Sequence, residues 1–213
     1  VNIGVLGEYV YGAGKGSKDM VGIFVGTGIG GGIILNGEMH YGWRGAAGEI
    51  GHTVVEPGGR ECGCGKRGCV EAYASKTAMM SRIQGLIEEG KTSIVPELLD
   101  KKNEPRLTSA IIETALDEED EIMHEVIKDA QYYLGLLTAN LVNILDPEVI
   151  VFGGGLVEQL GDSFIEPIRN TARKYYLQQK DTERIQIVPS TLGDHAGPIG
   201  AAVTAQRRLG SGD

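Results

Sequence analysis

Apolar positions along this chain fall into two rhythms, one short and unbroken, the other recurring every three to four residues. Residues 21–25 and 149–152 are uncharged apolar runs, and 185–188 is a third with a single glutamine among branched side chains. Runs of this length, bounded by glycine or turn residues, predict buried strands. Residues 33–35 and 38–41 flank Asn36-Gly37, the dipeptide of a type I′ hairpin turn, and 53–55 reads as a further short strand. The helical rhythm is strongest from about 119 to 145. There Ile122, Val126, Ala130, Leu134, Leu137, Leu141 and Leu145 recur at steps of three and four, and Pro147 ends the series. Further helices are predicted over 2–11, from about 69 to 88, over 109–115, from about 157 to 177 and from about 197 to 208. Pro167 should kink or divide the fourth of these. Residues 94–106, with Pro96 and Pro105, read as irregular. Strands alternating with long helices predict an α/β class.

At 213 residues the chain can bury a full core as one domain, with or without an appendage. Glycine changes the picture: 33 residues are about twice the average usage of roughly 7%, and they gather at the ends of apolar runs. Gly26-Thr27-Gly28 follows the first strand. Its amides and hydroxyl suit phosphate oxygens, but the same turn serves packing equally well, and no Gly-Lys-Ser/Thr ending makes it a P-loop. Gly153, Gly154 and Gly155 follow the strand at 149–152 with the same ambiguity. Two such clusters at strand ends favour a nucleotide cleft. A net charge of −9, with basic residues scattered singly or in pairs, makes nucleic acid and anionic membranes poor partners for this segment. The longest uncharged run, which takes in 20–36, is too rich in glycine to span a membrane.

The three cysteines stand in Cys62-Gly63-Cys64-Gly65-Lys66-Arg67-Gly68-Cys69, with His52 upstream. A disulfide plus a spare thiol is the plain alternative, but Cys62 and Cys64 are too close to bridge easily and one thiol would be left over. Cys₃His instead completes the four N/S ligands of a tetrahedral Zn²⁺, and a shell filled by protein makes that zinc structural. Thiols kept for metal point to the cytoplasm. Glu49 and Glu71 flank the set, so both carboxylates are expected on one wall, either as acceptors for sugar hydroxyls or as solvated neighbours of the zinc. If Glu71 is a ligand, it should matter little to folding. His40 and His124 read as surface residues and His195 as a residue that helps cap the last helix. Trp43 is expected to pack in the core rather than stack on a sugar.

Gly48-Glu49-Ile50-Gly51-His52, followed by the cysteine run and Val70-Glu71-Ala72-Tyr73-Ala74-Ser75, resembles the signature of the ROK family, which joins repressors and sugar kinases. Residues 25–32 resemble its second phosphate motif, 146–155 its adenosine motif and 193–202 its closing helix. The resemblance implies an actin-like (ribonuclease H-like) two-lobed fold, of which residues 1–213 supply the larger C-terminal lobe, with a zinc loop at 52–71. It implies Glu49, His52 and Glu71 as sugar-binding residues and His52, Cys62, Cys64 and Cys69 as zinc ligands. Gly26, Thr27, Gly28, Gly153, Gly154 and Gly155 would bind ATP, with Mg²⁺ accompanying the nucleotide. Hexose and ATP are the implied partners, glucose the first choice over fructose or N-acetylmannosamine, and a homodimer the implied assembly. Family kinases use an aspartate base that would fall just before Val1, so no catalytic base is expected within this chain. The chain therefore reads as part of a longer protein, and the helix at about 197–209 is expected to pack toward the other lobe. A sugar-responsive repressor is the alternative.

Overall fold

A computed structural model describes residues 1–210 as a five-stranded mixed sheet covered by helices on both faces. Strands β1 (Met20–Val25) and β2 (Ile29–Leu35) form an antiparallel hairpin closed by Gly26-Thr27-Gly28, and β3 (Glu38–Met39) extends it past Asn36-Gly37. Strand β4 (Val149–Gly153) lies parallel to β1, and β5 (Gln186–Pro189) parallel to β4, giving the order β3-β2-β1-β4-β5.

Alternation sorts the two faces. Val21, Ile23, Val25, Ile150 and Phe152 enter the larger core, while Met20, Val149 and Val151 enter the smaller one on the other side. Burial on both faces is why β1 and β4 read as unbroken apolar runs. The larger core is roofed by α6 (Glu121–Leu145), with α3 (Lys76–Glu88), α5 (Ser109–Asp117), α7 (Gly155–Leu160) and α8 (Asp162–Tyr175) around it. The smaller core is covered by α1 (Asn2–Tyr11), against which α9 (Ala196–Gly210) packs, the two meeting at Gly7 and Gly200. Helix α6 starts where Asp120 accepts from Met123 N at 2.7 Å, and it ends at Asp146 (φ 45°) before Pro147.

Several local expectations change. The helix predicted from about 69 to 88 is two, α2 (Glu71–Ala74) and α3, because Ser75 accepts from Ala78 N at 3.1 Å and caps a new start. Residues 53–55 form no strand, only an isolated bridge of Val54 to Cys69. The stretch at 94–106 is not irregular throughout: it contains α4 (Val95–Lys102), with Pro96 in the first turn, where a missing N–H costs no helical bond. The helix expected over 157–177 divides at Gly161 (φ 56°), not at Pro167, which lies inside α8. Pro167 deprives Ser163 O of its helical donor, and Gln131 Nε2 on α6 supplies one at 3.4 Å.

Candidate functional site

Because β1 and β4 are parallel neighbours, their C-terminal ends lie side by side, and so do the two glycine clusters that follow them. Gly154 has φ 95°, and a Cβ there would stand 2.4 Å from Val25 O, so only glycine lets the second cluster close on the end of β1. The first turn is fastened to the start of α3: Lys76 N donates to Gly26 O at 2.9 Å, and Thr77 Oγ1 to Thr27 O at 2.7 Å. Thr27 is exposed, and its own hydroxyl has no partner among the described residues.

Glu71 links this turn to the cysteine loop. Its Oε2 accepts from Ile29 N at 2.8 Å, and a Cβ on Gly28 would fall 2.6 Å from that oxygen, so the carboxylate fills the space that glycine leaves open. Oε1 stands 3.7 Å from Cys62 Sγ and 3.9 Å from His52 Nδ1. The bond to Ile29 means that Glu71 also holds the fold, contrary to the expectation from sequence. Glu49 is exposed beside the short 3-10 helix Ile50–His52, and its carboxylate has no partner among the described residues. Glu49, His52 and Glu71 line one cleft of ≈ 440 Å³ together with Gly26, Thr27, Gly28 and Gly154, and Val1 stands on the same wall. Gly155 lines an adjoining hollow of ≈ 530 Å³. Gly153 lines neither; it is buried in register with Phe24.

One ligand atom from each of His52, Cys62, Cys64 and Cys69 lies within 4.8 Å of all the others. Cys64 and Cys69 Sγ are 3.8 Å apart, and Cys62 Sγ is 3.7 Å from His52 Nδ1. A disulfide needs about 2.05 Å. A tetrahedral ion with Zn–S of about 2.3 Å holds its sulfurs about 3.8 Å apart, so the donor set fits a metal ion. His52 turns Nδ1 to the thiols, which leaves Nε2 as the ring nitrogen available to the cleft. Without a cation, burial pushes the Cys62 thiol up to about 12 and raises that of Cys69, whereas the Lys66 amide lowers that of Cys64. A bound dication reverses this for buried thiols by stabilising the thiolates.

The ROK family model matches residues 1–208. The chain belongs to the ROK family. A glucokinase of Halalkalibacterium halodurans is 43% identical over 203 residues, which are 93% of this chain and 59% of that protein. A ROK family glucokinase from Streptomyces griseus, solved with glucose and AMPPNP, matches with a TM-score of 0.81 at 32% identity, over 97% of this chain and 66% of that one. The DNA-binding transcriptional dual regulator NagC of Escherichia coli is 33% identical over 207 residues, 97% of this chain and 48% of the regulator. The chain thus spans 59% of the first of these curated relatives and 48% of the other. Its architecture is the actin-like ATPase fold of the ROK glucokinases.

In this ROK chain the cysteine loop is clamped to α6 by residues that local spacing did not single out. Arg60 N donates to Tyr73 Oη at 2.7 Å, and the Arg60 guanidinium lies 4.6 Å over the Tyr73 ring and binds Asp129 at 2.7 Å. Tyr73 and Tyr133 stack at 3.9 Å, and Tyr133 Oη donates to Glu56 at 2.5 Å, which holds that carboxyl below its ordinary range. These partners come from opposite ends of long sequence separations, so only the tertiary fold brings them together. Trp43, expected in the core, is 98% exposed on the loop before Glu49. His40 and His124 are exposed, as expected; His195, expected to help cap the last helix, is exposed just before α9, and its side chain makes no hydrogen bond among the described residues.

Proposed function

We propose that this ROK chain is the larger, C-terminal lobe of an ATP-dependent hexose kinase, with glucose as the preferred sugar. The observation that carries the proposal is the single cleft in which Glu49, His52 and Glu71 stand beside the Gly26-Thr27-Gly28 turn and Gly154. In this reading the carboxylates accept sugar hydroxyls: Glu49 is unpaired among the described residues, and Glu71 arrives with Oε2 committed to Ile29 N, while Oε1, 3.7 Å from Cys62 Sγ, loses that donor and can accept a hydroxyl once the sulfur is a metal-bound thiolate. His52 offers Nε2 to the sugar while Nδ1 serves the metal. Amides of the first turn and the Thr27 hydroxyl take phosphate oxygens, and the 153–155 segment takes the adenosine side.

Zinc held by His52, Cys62, Cys64 and Cys69 would supply rigidity rather than an open coordination site, since protein fills all four positions. Mg²⁺ entering with ATP would neutralise charge on the transferring group. A sugar hydroxyl attacks the γ-phosphorus as the bond to the ADP oxygen breaks, and its proton passes to a base. We place that base outside this chain, next to Val1, which already borders the cleft. A cytoplasmic homodimer is part of the same proposal.

The 33% identity to NagC supports a second reading, a sugar-responsive regulator using the same sugar and metal sites. The Thr27 hydroxyl, without a partner among the described residues on a glycine turn that lines the cleft, supports the kinase, because phosphoryl transfer needs donors to phosphate oxygens. A coupled ADP-release assay on the whole protein with glucose, fructose and N-acetylmannosamine separates them. The kinase reading requires turnover with glucose preferred. Sugar binding without ADP release, together with sugar-dependent DNA binding, would put the regulator in its place.

A further inference from the structure

Fastened to the first glycine turn stands a cation whose position folding does not explain. Lys76 is the first residue of α3 and is half-buried, and among the described residues its ammonium bonds to Ser109 Oγ alone, at 3.4 Å. Among the described residues it makes no ion pair. Burial, and then the like charge of Arg106, lower its pKa. A positive charge at a helix N-terminus also opposes the helix dipole. All three effects disfavour an ammonium here, in a chain whose net charge of −9 leaves it no shortage of carboxylates.

Its placement supplies a reason. Lys76 N is bonded to Gly26 O and Thr77 Oγ1 to Thr27 O, so the residue is fixed relative to the first glycine turn. Ser109 Oγ lies 3.2 Å from where a Cβ on Gly155 would stand, so the ammonium is equally fixed relative to the second cluster. We propose that Lys76, oriented by Ser109, is a nucleotide-binding residue of this chain, its ammonium meeting the phosphate chain of a nucleoside di- or triphosphate between the two glycine clusters. This rests on the nucleotide cleft proposed above. The bound polyanion offsets the charge that the empty fold leaves unbalanced.

The test is calorimetric titration of the whole protein and its Lys76→Met and Lys76→Arg variants with MgATP, MgADP and adenosine, beside the melting temperature without ligand. Lys76→Met is expected to weaken both nucleotides by about tenfold to a hundredfold, the range for losing a charged hydrogen bond. Adenosine affinity should hold, Lys76→Arg should recover most of the loss, and the unliganded Lys76→Met protein should melt no lower than wild type. Wild-type protein that binds no nucleotide would overturn this proposal and the kinase cleft together. Wild-type protein that binds MgATP, with Lys76→Met matching it, would overturn the role of Lys76 alone. Equal losses for adenosine and MgATP, or a clear fall in the unliganded melting temperature of Lys76→Met, would overturn the phosphate contact in favour of a structural lysine.

Discussion

Glu71 serves the fold with one oxygen and, in the proposed reaction, the sugar with the other, so two substitutions separate its roles. In Glu71→Ala, Ile29 N loses the acceptor it holds at 2.8 Å. A partly buried amide without a partner costs about 1–3 kcal/mol. For a chain of this length each kcal/mol moves Tm by about 2–4 °C, so Tm should fall by about 2–12 °C. Loss of the carboxylate acceptor should also weaken hexose binding by about tenfold to 150-fold, the equivalent of about 1.5–3 kcal/mol. Glu71→Gln keeps an oxygen for Ile29 N and removes only the charge. It should therefore melt close to wild type while still losing a substantial part of the sugar affinity. Differential scanning calorimetry and sugar titration of the three proteins read the two effects independently. Equal melting of Glu71→Ala and wild type would refute the structural bond, and unchanged sugar affinity in both variants would refute the ligand role.

Two further outcomes follow from the same cleft. Cys64→Ser should abolish stoichiometric zinc and speed hydrogen exchange over residues 45–72 while the strands stay protected; a variant that still carries one zinc per chain would show that the four donors are not a metal site. Gly154→Ala puts a Cβ 2.4 Å from Val25 O at φ 95°, so it should cost about 1–3 kcal/mol in stability and raise the KM for ATP; wild-type melting and KM would contradict the close approach.

What the sequence disclosed was what is local. Unbroken apolar runs gave away β1 and β4 because both faces are buried, and regular spacing gave away α6. The cysteine run and its histidine identified a donor set because thiol chemistry leaves few alternatives over so short a stretch. What stayed hidden depends on residues brought together from afar. Glu71 takes the amide of Ile29, which lies 42 positions away. Arg60 and Tyr133 clamp the cysteine loop through partners 69 and 77 positions away. Pro167 looked like a breaker, yet Gln131 on another helix supplies the donor its carbonyl partner needs, and the chain breaks at Gly161 instead. Ser75 was a local signal that continuous apolar spacing masked: its N-cap bond ends one helix and starts the next. Trp43 defied the usual preference of large aromatics for the interior, and nothing in the structure explains its exposure.

In the proposed site one imidazole, that of His52, serves metal and sugar at once. Long-range ¹H–¹⁵N correlation spectra of the zinc-loaded protein, with ¹⁵N in its histidine rings, follow both nitrogens of His52 during a glucose titration. Nδ1 should keep a metal-bound shift throughout, while Nε2 moves with saturation as it gains a hydrogen bond to the sugar. Glucose binding to saturation with Nε2 unmoved, or a metal-bound shift on Nε2, would contradict the shared histidine and take the sugar away from this wall.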